Sequence, residues 1–157
     1  MPLLATFDPY DEAQTSAWLD SFAKLTESGP HGRLYNGTAG VFEFDFVSGE
    51  IVEWLSVLKD KVDDLLDNLS ADDYSEEDQS LFQTQLAASL HTTMAYSSTM
   101  LKEEVANEWA KSFMNSMDGG KFFRSDIGSC MTASTFDTMY VAAVGTKVAY
   151  ILIQDED

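Results

Sequence analysis

Apolar residues recur along this chain at two periods, and the points where the period changes divide it into elements. Tyr10, Ala13, Ala17, Trp18, Phe22 and Leu25 share one helical face and predict a helix from Pro9 to about Glu27. Asp8 is the expected N-cap, with Pro9 at the first helical position, where its missing N–H costs nothing. Ser28-Gly29-Pro30 ends the helix. A hairpin is expected next. Arg33-Leu34-Tyr35 runs into Asn36-Gly37, a pair that tolerates the positive φ of a tight turn, and Val41 to Phe46 returns. On the return strand Phe42, Phe44 and Phe46 alternate with Glu43 and Asp45, the pattern of a half-buried strand.

The period then returns to that of a helix. Ile51, Leu55, Leu58, Val62, Leu65 and Leu69 step by four and three, with Trp54 and Leu66 widening the stripe, and predict a second helix from Gly49 to about Leu69. Ser75 is expected to open a third helix, with Asp78 completing a capping box and Leu81, Phe82, Leu86, Leu90 and Met94 on its apolar side. A loosening near Ser98 separates it from a fourth helix, which carries Leu101, Val105, Trp109, Phe113 and Met117 and stops at Gly119-Gly120. Period two resumes after that. A strand is expected over Ser129 to Ser134, and Thr138–Ala143 and Lys147–Ile153 are expected to pair as a hairpin around Val144-Gly145-Thr146. The unbroken apolar run Val148–Ile153 suits a central strand covered on both faces. Residues 154–157 are expected to be a frayed acidic tail. The order α-β-β-α-α-α-β-β-β predicts a single α+β domain over residues 1–157, with a mostly antiparallel sheet packed by amphipathic helices.

Composition changes this picture in one respect. The 157 residues carry a formal charge of −18, yet three Trp, six Tyr and ten Phe mark a chain that folds, because disordered acidic chains are poor in aromatics. Half of that charge lies between Ser48 and Asp78, where eleven acids face Lys59 and Lys61. Spread along a continuous helix, they would place one negative charge per roughly 4 Å of axis, close to the spacing of phosphates on one DNA strand. Asp60, Asp63, Asp64 and Asp67 fall on one helical face, where like charges cost a few tenths of a kcal/mol per pair. The apolar stripe of the same helix would dock it on the sheet and hold these charges on a fixed surface.

That charge opposes direct contact with nucleic acid or anionic membranes and favours a basic protein partner. The expected function is that of an acidic inhibitor imitating nucleic acid and blocking the basic site of a nucleic-acid-binding protein or nuclease. Phage or plasmid anti-defence proteins and toxin-immunity proteins act in this manner. Glu53, Asp60, Asp63, Asp64, Asp67, Asp72, Asp73, Glu76 and Glu77 are the candidate partner-binding residues. The alternatives are an acidic chaperone or adaptor with an apolar binding surface, and an enzyme whose site is assembled from scattered residues.

Catalytic and metal motifs do not compete with this reading. Asp72 to Asp78 is rich in oxygens, but it lacks the glycine and the ligand spacing of an EF-hand loop. His31 and His91 are the two histidines, and Cys130 is the one cysteine, in no nucleophile motif. Gly119-Gly120-Lys121 lacks the spacing of a phosphate-binding loop, and no cofactor is implied. Lys121 and Arg124 form a small basic spot beside Phe122 and Phe123. Trp18, Trp54 and Trp109 are expected in the core. The first residues, which reach Asp8 without a basic segment, read as no signal peptide, and the expected location is the cytoplasm of the producing or host cell.

Overall fold

The computed structural model describes residues 7–27, 36–43, 50–61, 72, 74–92, 101–125 and 136–155. They form α1 (Glu12–Glu27), β1 (Asn36–Glu43), α2 (Ile51–Lys61), β2 (Tyr74–Glu77), α3 (Gln79–His91), α4 (Glu103–Ser116), β3 (Lys121–Ser125), β4 (Phe136–Val144) and β5 (Lys147–Asp155). The strands make one antiparallel sheet in the order β1-β5-β4-β3-β2, so the α+β class and the antiparallel sheet are those expected.

Period-two alternation in the inner strands feeds two separate cores. Phe122, Tyr140, Ala142, Ala149, Ile151 and Ile153 point toward α1, α3 and α4. Phe123, Met139, Val141, Val148, Tyr150 and Leu152 point toward α2. The sheet is therefore the middle of three layers. On the three-helix side, the ring of Trp18 lies 5.6 Å from that of Trp109, and Phe82 meets Tyr140 edge-on at 5.3 Å. All three tryptophans are buried. The continuous apolar run of β5 has the predicted cause, since β5 has a strand on each side and a helical layer on each face.

Local readings differ from the structure where long-range pairing decides. Asn36-Gly37 does not turn a hairpin. Asn36 pairs with Gln154 and Gly37 with Ile153 inside one straight strand, because β5 offers a full row of partners from Gln154 to Lys147. The other arms of that hairpin, 33–35 and 44–46, lie outside the described residues, as does the strand expected over 129–134. Lys121–Ser125, read as a basic spot, is a strand between β4 and β2. The tail prediction is corrected as well. Gln154 pairs with both Asn36 and Asp137, and β5 continues to Asp155.

Helix starts also shift. Asp11 rather than Asp8 caps α1, its Oδ1 accepting from the Gln14 N–H at 3.0 Å. Asp8 instead accepts from the Tyr10 N–H and forms the preceding turn. The third and fourth helices are separate, as expected. The β4–β5 turn holds Gly145 at φ +57, a left-handed value that glycine adopts without a Cβ penalty. The Tyr10 hydroxyl accepts from the Thr146 N–H of that turn at 3.0 Å. Among the described residues no helix is long and apolar enough to cross a membrane.

Candidate functional site

The described part of the second helix, Ile51–Lys61, docks as its stripe predicts, and Val62, Leu65, Leu66 and Leu69 of the same stripe lie outside the described residues. Trp54, Leu55 and Leu58 are buried against the sheet, with Trp54 edge-on to Phe123 at 5.1 Å and Ile51 and Phe42 packed at the border. Docking by that stripe turns Glu53, Lys59, Asp60 and Lys61 to solvent, and the Lys61 ammonium lies 5.3 Å from the centre of the Phe42 ring. Glu76 is exposed on β2 and shares a strand face with Tyr74, whose ring belongs to the α2-side core. Glu53, Asp60 and Glu76 thus lie on one side of the sheet, and Asp72 is exposed just before β2. Asp63, Asp64, Asp67 and Asp73 lie outside the described residues.

Glu77 is not part of that surface. The third helix was expected to open at Ser75, but Tyr74–Glu77 is the edge strand β2, paired with β3. Alternation on that strand sends Glu77 to the opposite face from Glu76. There its Oε1 accepts from the Arg124 Nε–H at 2.6 Å, with the two side chains 4% and 23% exposed. Its other oxygen, Oε2, is buried with no hydrogen-bond donor. The basic spot assigned to Arg124 is therefore spent on an internal ion pair. Asp78 then serves as N-cap of α3, its Oδ1 accepting from the Leu81 N–H at 2.8 Å. With Glu77 paired inward and Asp78 capping, the oxygens weighed as a calcium site point in different directions. Among the described residues no three His, Cys, Asp or Glu side chains are placed to hold a metal ion.

Beside the Glu77–Arg124 pair lies a polar cluster that no sequence motif announces. The Tyr140 hydroxyl donates to the Gln85 carbonyl at 2.9 Å and, its own proton so used, accepts from the Ser89 hydroxyl at 2.5 Å. Burial pushes the Tyr140 phenol up to about 12, opposed by the Ser89 hydrogen bond and the Arg124 charge and reinforced by the Glu77 charge. The phenol is thus a neutral, doubly engaged group that ties α3 to β4, and it is no base or nucleophile at physiological pH. The only foretaste in the sequence is a lone hydroxyl in the apolar run of β4 and the Ser89 hydroxyl on α3, since Gln85 contributes a backbone carbonyl that any residue would supply.

A pH prediction follows from Tyr140. The folded value lies above the ordinary value of 10.0, so the folded state holds this proton longer than the unfolded chain does. Its contribution to stability is complete below pH 10 and is lost as pH rises through about 12. In a near-ultraviolet absorbance titration, Tyr140 is expected to ionise later than an exposed tyrosine, and Tyr140→Phe is expected to remove that late step. A Tyr140→Phe variant that titrates like the parent would refute the assignment.

No family model matches this chain, and no curated protein or solved structure matches it significantly.

Proposed function

We propose that the protein is an acidic inhibitor that binds a basic protein, a nucleic-acid-binding protein or nuclease, through the side of the sheet covered by α2. The observation that supports this reading is the rigid docking of α2. Trp54 and Leu58 are fully buried, so Glu53 and Asp60 are carried on a packed element rather than a loose arm. Glu76 adds a charge on the same side of the sheet, from its edge strand. Acids held at fixed spacing give a cationic groove a complementary surface without the entropy cost of ordering a flexible tail. A charge of −18 speeds encounter with such a partner and repels nucleic acid itself. The partner-binding set is Glu53, Asp60, Asp72 and Glu76 among the described residues, with Asp63, Asp64, Asp67 and Asp73 continuing it in the sequence. Cytoplasmic action, against an enzyme of the same or a host cell, belongs to the proposal.

The chaperone alternative requires an apolar surface. Among the described residues the large exposed hydrophobic side chains are Tyr10 and Leu81, at 56% and 45%. Tyr10 holds the β4–β5 turn and lies under the Lys147 ammonium. Among the described residues two such side chains, one of them engaged with a turn, fall short of a docking patch.

The protein used as bait in cell extract is expected to retain a basic nucleic-acid-binding protein at low salt and release it at high salt. Replacing Glu53, Asp60, Asp72 and Glu76 together by their amides is expected to weaken binding about fourfold to nearly a thousandfold, at roughly 0.2–1 kcal/mol per exposed ion pair. The far-ultraviolet circular dichroism should stay unchanged. A partner held equally well by this variant, or retained at high salt, would rule out the acidic face as the binding surface.

A further inference from the structure

On the far side of the sheet from α2, α3 and α4 border an open cleft of about 400 Å³. Its cause is local sequence. Ser80, Thr84, Ala88 and His91 step by four, four and three along one side of α3, opposite Glu103 and Asn107, four apart on α4. Large apolar residues at such positions would interlock, whereas small and polar ones leave a gap between two helices already anchored by Phe82, Leu86, Leu90 and Phe113.

Three polar groups of this gap present acceptors, and among the described residues its one charged group is negative. His91 Nδ1 lies 2.7 Å from the Leu101 carbonyl oxygen, which only accepts. The Nδ1 proton is therefore committed, and in the neutral ring Nε2 is an acceptor held in a fixed orientation. The Thr84 hydroxyl spends its proton on the Ser80 carbonyl at 2.9 Å, leaving its lone pairs. Glu103 contributes a carboxylate, which only accepts, and Asn107 and Gln83 contribute amides that can both accept and donate. Among the described residues no lysine or arginine lines the cleft, and Ala87 and Ala88 give it an apolar strip. The described residues offer no third metal-ligating side chain, so a metal ion is poorly matched.

We propose that this cleft binds an alkylguanidinium group, with the N–H fork on Glu103 and His91 Nε2 and the aliphatic stem along Ala87 and Ala88. The group can belong to a free small molecule or to an arginine side chain of another protein. A planar cation with several donors matches the acceptors of Glu103, His91 and Thr84, and its charge matches the carboxylate. The volume is at the small end of ligand clefts, suited to one such group and its stem.

Agmatine titrated into the full chain is expected to shift the His91 imidazole resonances in a saturable manner. Glu103→Gln is expected to weaken binding about ten- to a hundred-fold, as for one lost charged hydrogen bond. Ala88→Leu, which fills the cleft from an exposed position, should abolish binding. N-butylurea, of similar shape but neutral, should bind at least about tenfold more weakly. An arginine-containing peptide that displaces agmatine assigns the site to a protein side chain, and one that does not assigns it to a free molecule. The variant lacking the four acids of the α2 side should bind agmatine unchanged, which separates this site from the inhibitor reading. An unmoved His91 signal at millimolar agmatine, or Glu103→Gln binding as well as the parent, overturns the proposal.

Discussion

Replacing Trp54 by alanine is expected to lower the folding free energy by about 3–5 kcal/mol, the range for truncating a fully buried large aromatic. Domains of this size are stable by only about 5–15 kcal/mol, so the loss approaches the whole margin. Trp54 is 0% exposed and joins α2 to β3 through its edge contact with Phe123. Its removal leaves a cavity under the one described helix on that side of the sheet, where Leu55 and Leu58 are the helix's other buried anchors among the described residues. The indole Nε1 of Trp54 is buried with no hydrogen-bond acceptor. Trp54→Phe is therefore expected to cost much less than Trp54→Ala, because it keeps most of the ring and removes an unsatisfied donor. Urea unfolding followed by tryptophan fluorescence and circular dichroism would measure both. Trp54→Ala within about 1 kcal/mol of the parent would mean that α2 is not docked as described. The same variant bears on function. If the acids act only when held on a packed helix, Trp54→Ala should also weaken partner binding, although no acid has been changed.

The second large effect belongs to the pair on the other face. Arg124→Ala is expected to destabilise by about 3 kcal/mol, since it strands the Glu77 carboxylate in the interior. The value sits at the low end for a broken buried pair because Arg124 still reaches solvent. Glu77→Met combined with Arg124→Met is expected to recover most of the loss, because two apolar side chains leave no uncompensated charge. Thermal unfolding of the two single variants and the double variant forms the cycle that decides this. A double variant as unstable as Arg124→Ala would show that the pair supplies something beyond mutual neutralisation. The pair also fixes the register of a short edge strand. Tyr74–Glu77 has only four ladder positions on β3, and side-chain anchors on both faces, Tyr74 toward α2 and Glu77 toward Arg124, oppose slippage.

Glu76 and Glu77 illustrate how far the candidate site was legible. As neighbours in an acidic run they read alike, and a helical reading placed both in a first turn. A strand separates them by half a period, so one faces solvent and the other lies in the core. No count of charges distinguishes these outcomes. The choice of strand over helix at Tyr74 depends on β3, which is nearly fifty residues away in the chain. Asn36-Gly37 carries the same lesson. Its turn preference amounts to a local bias of order 1 kcal/mol, whereas the strand it joins makes eight paired positions with β5. The cluster of Tyr140, Ser89 and Gln85 was illegible for a related reason. Its members are contributed by β4 and α3, and only the packing of α3 on the sheet brings them within hydrogen-bond reach.

The sequence by itself determined the four helices, the buried tryptophans, the β4–β5 hairpin and the double-sided burial of β5. It did so because periodicity of apolar residues records which face of an element leaves water, and that record is local. It also determined that α2 carries its acids opposite an apolar stripe. Only the tertiary structure decided the pairing partners of β1, β2 and β3, the inward turn of Glu77 and the cleft between α3 and α4. Strand pairing, ion pairs and clefts are contacts between residues far apart in the chain. Their free energy depends on which distant groups arrive, and no local pattern contains that information.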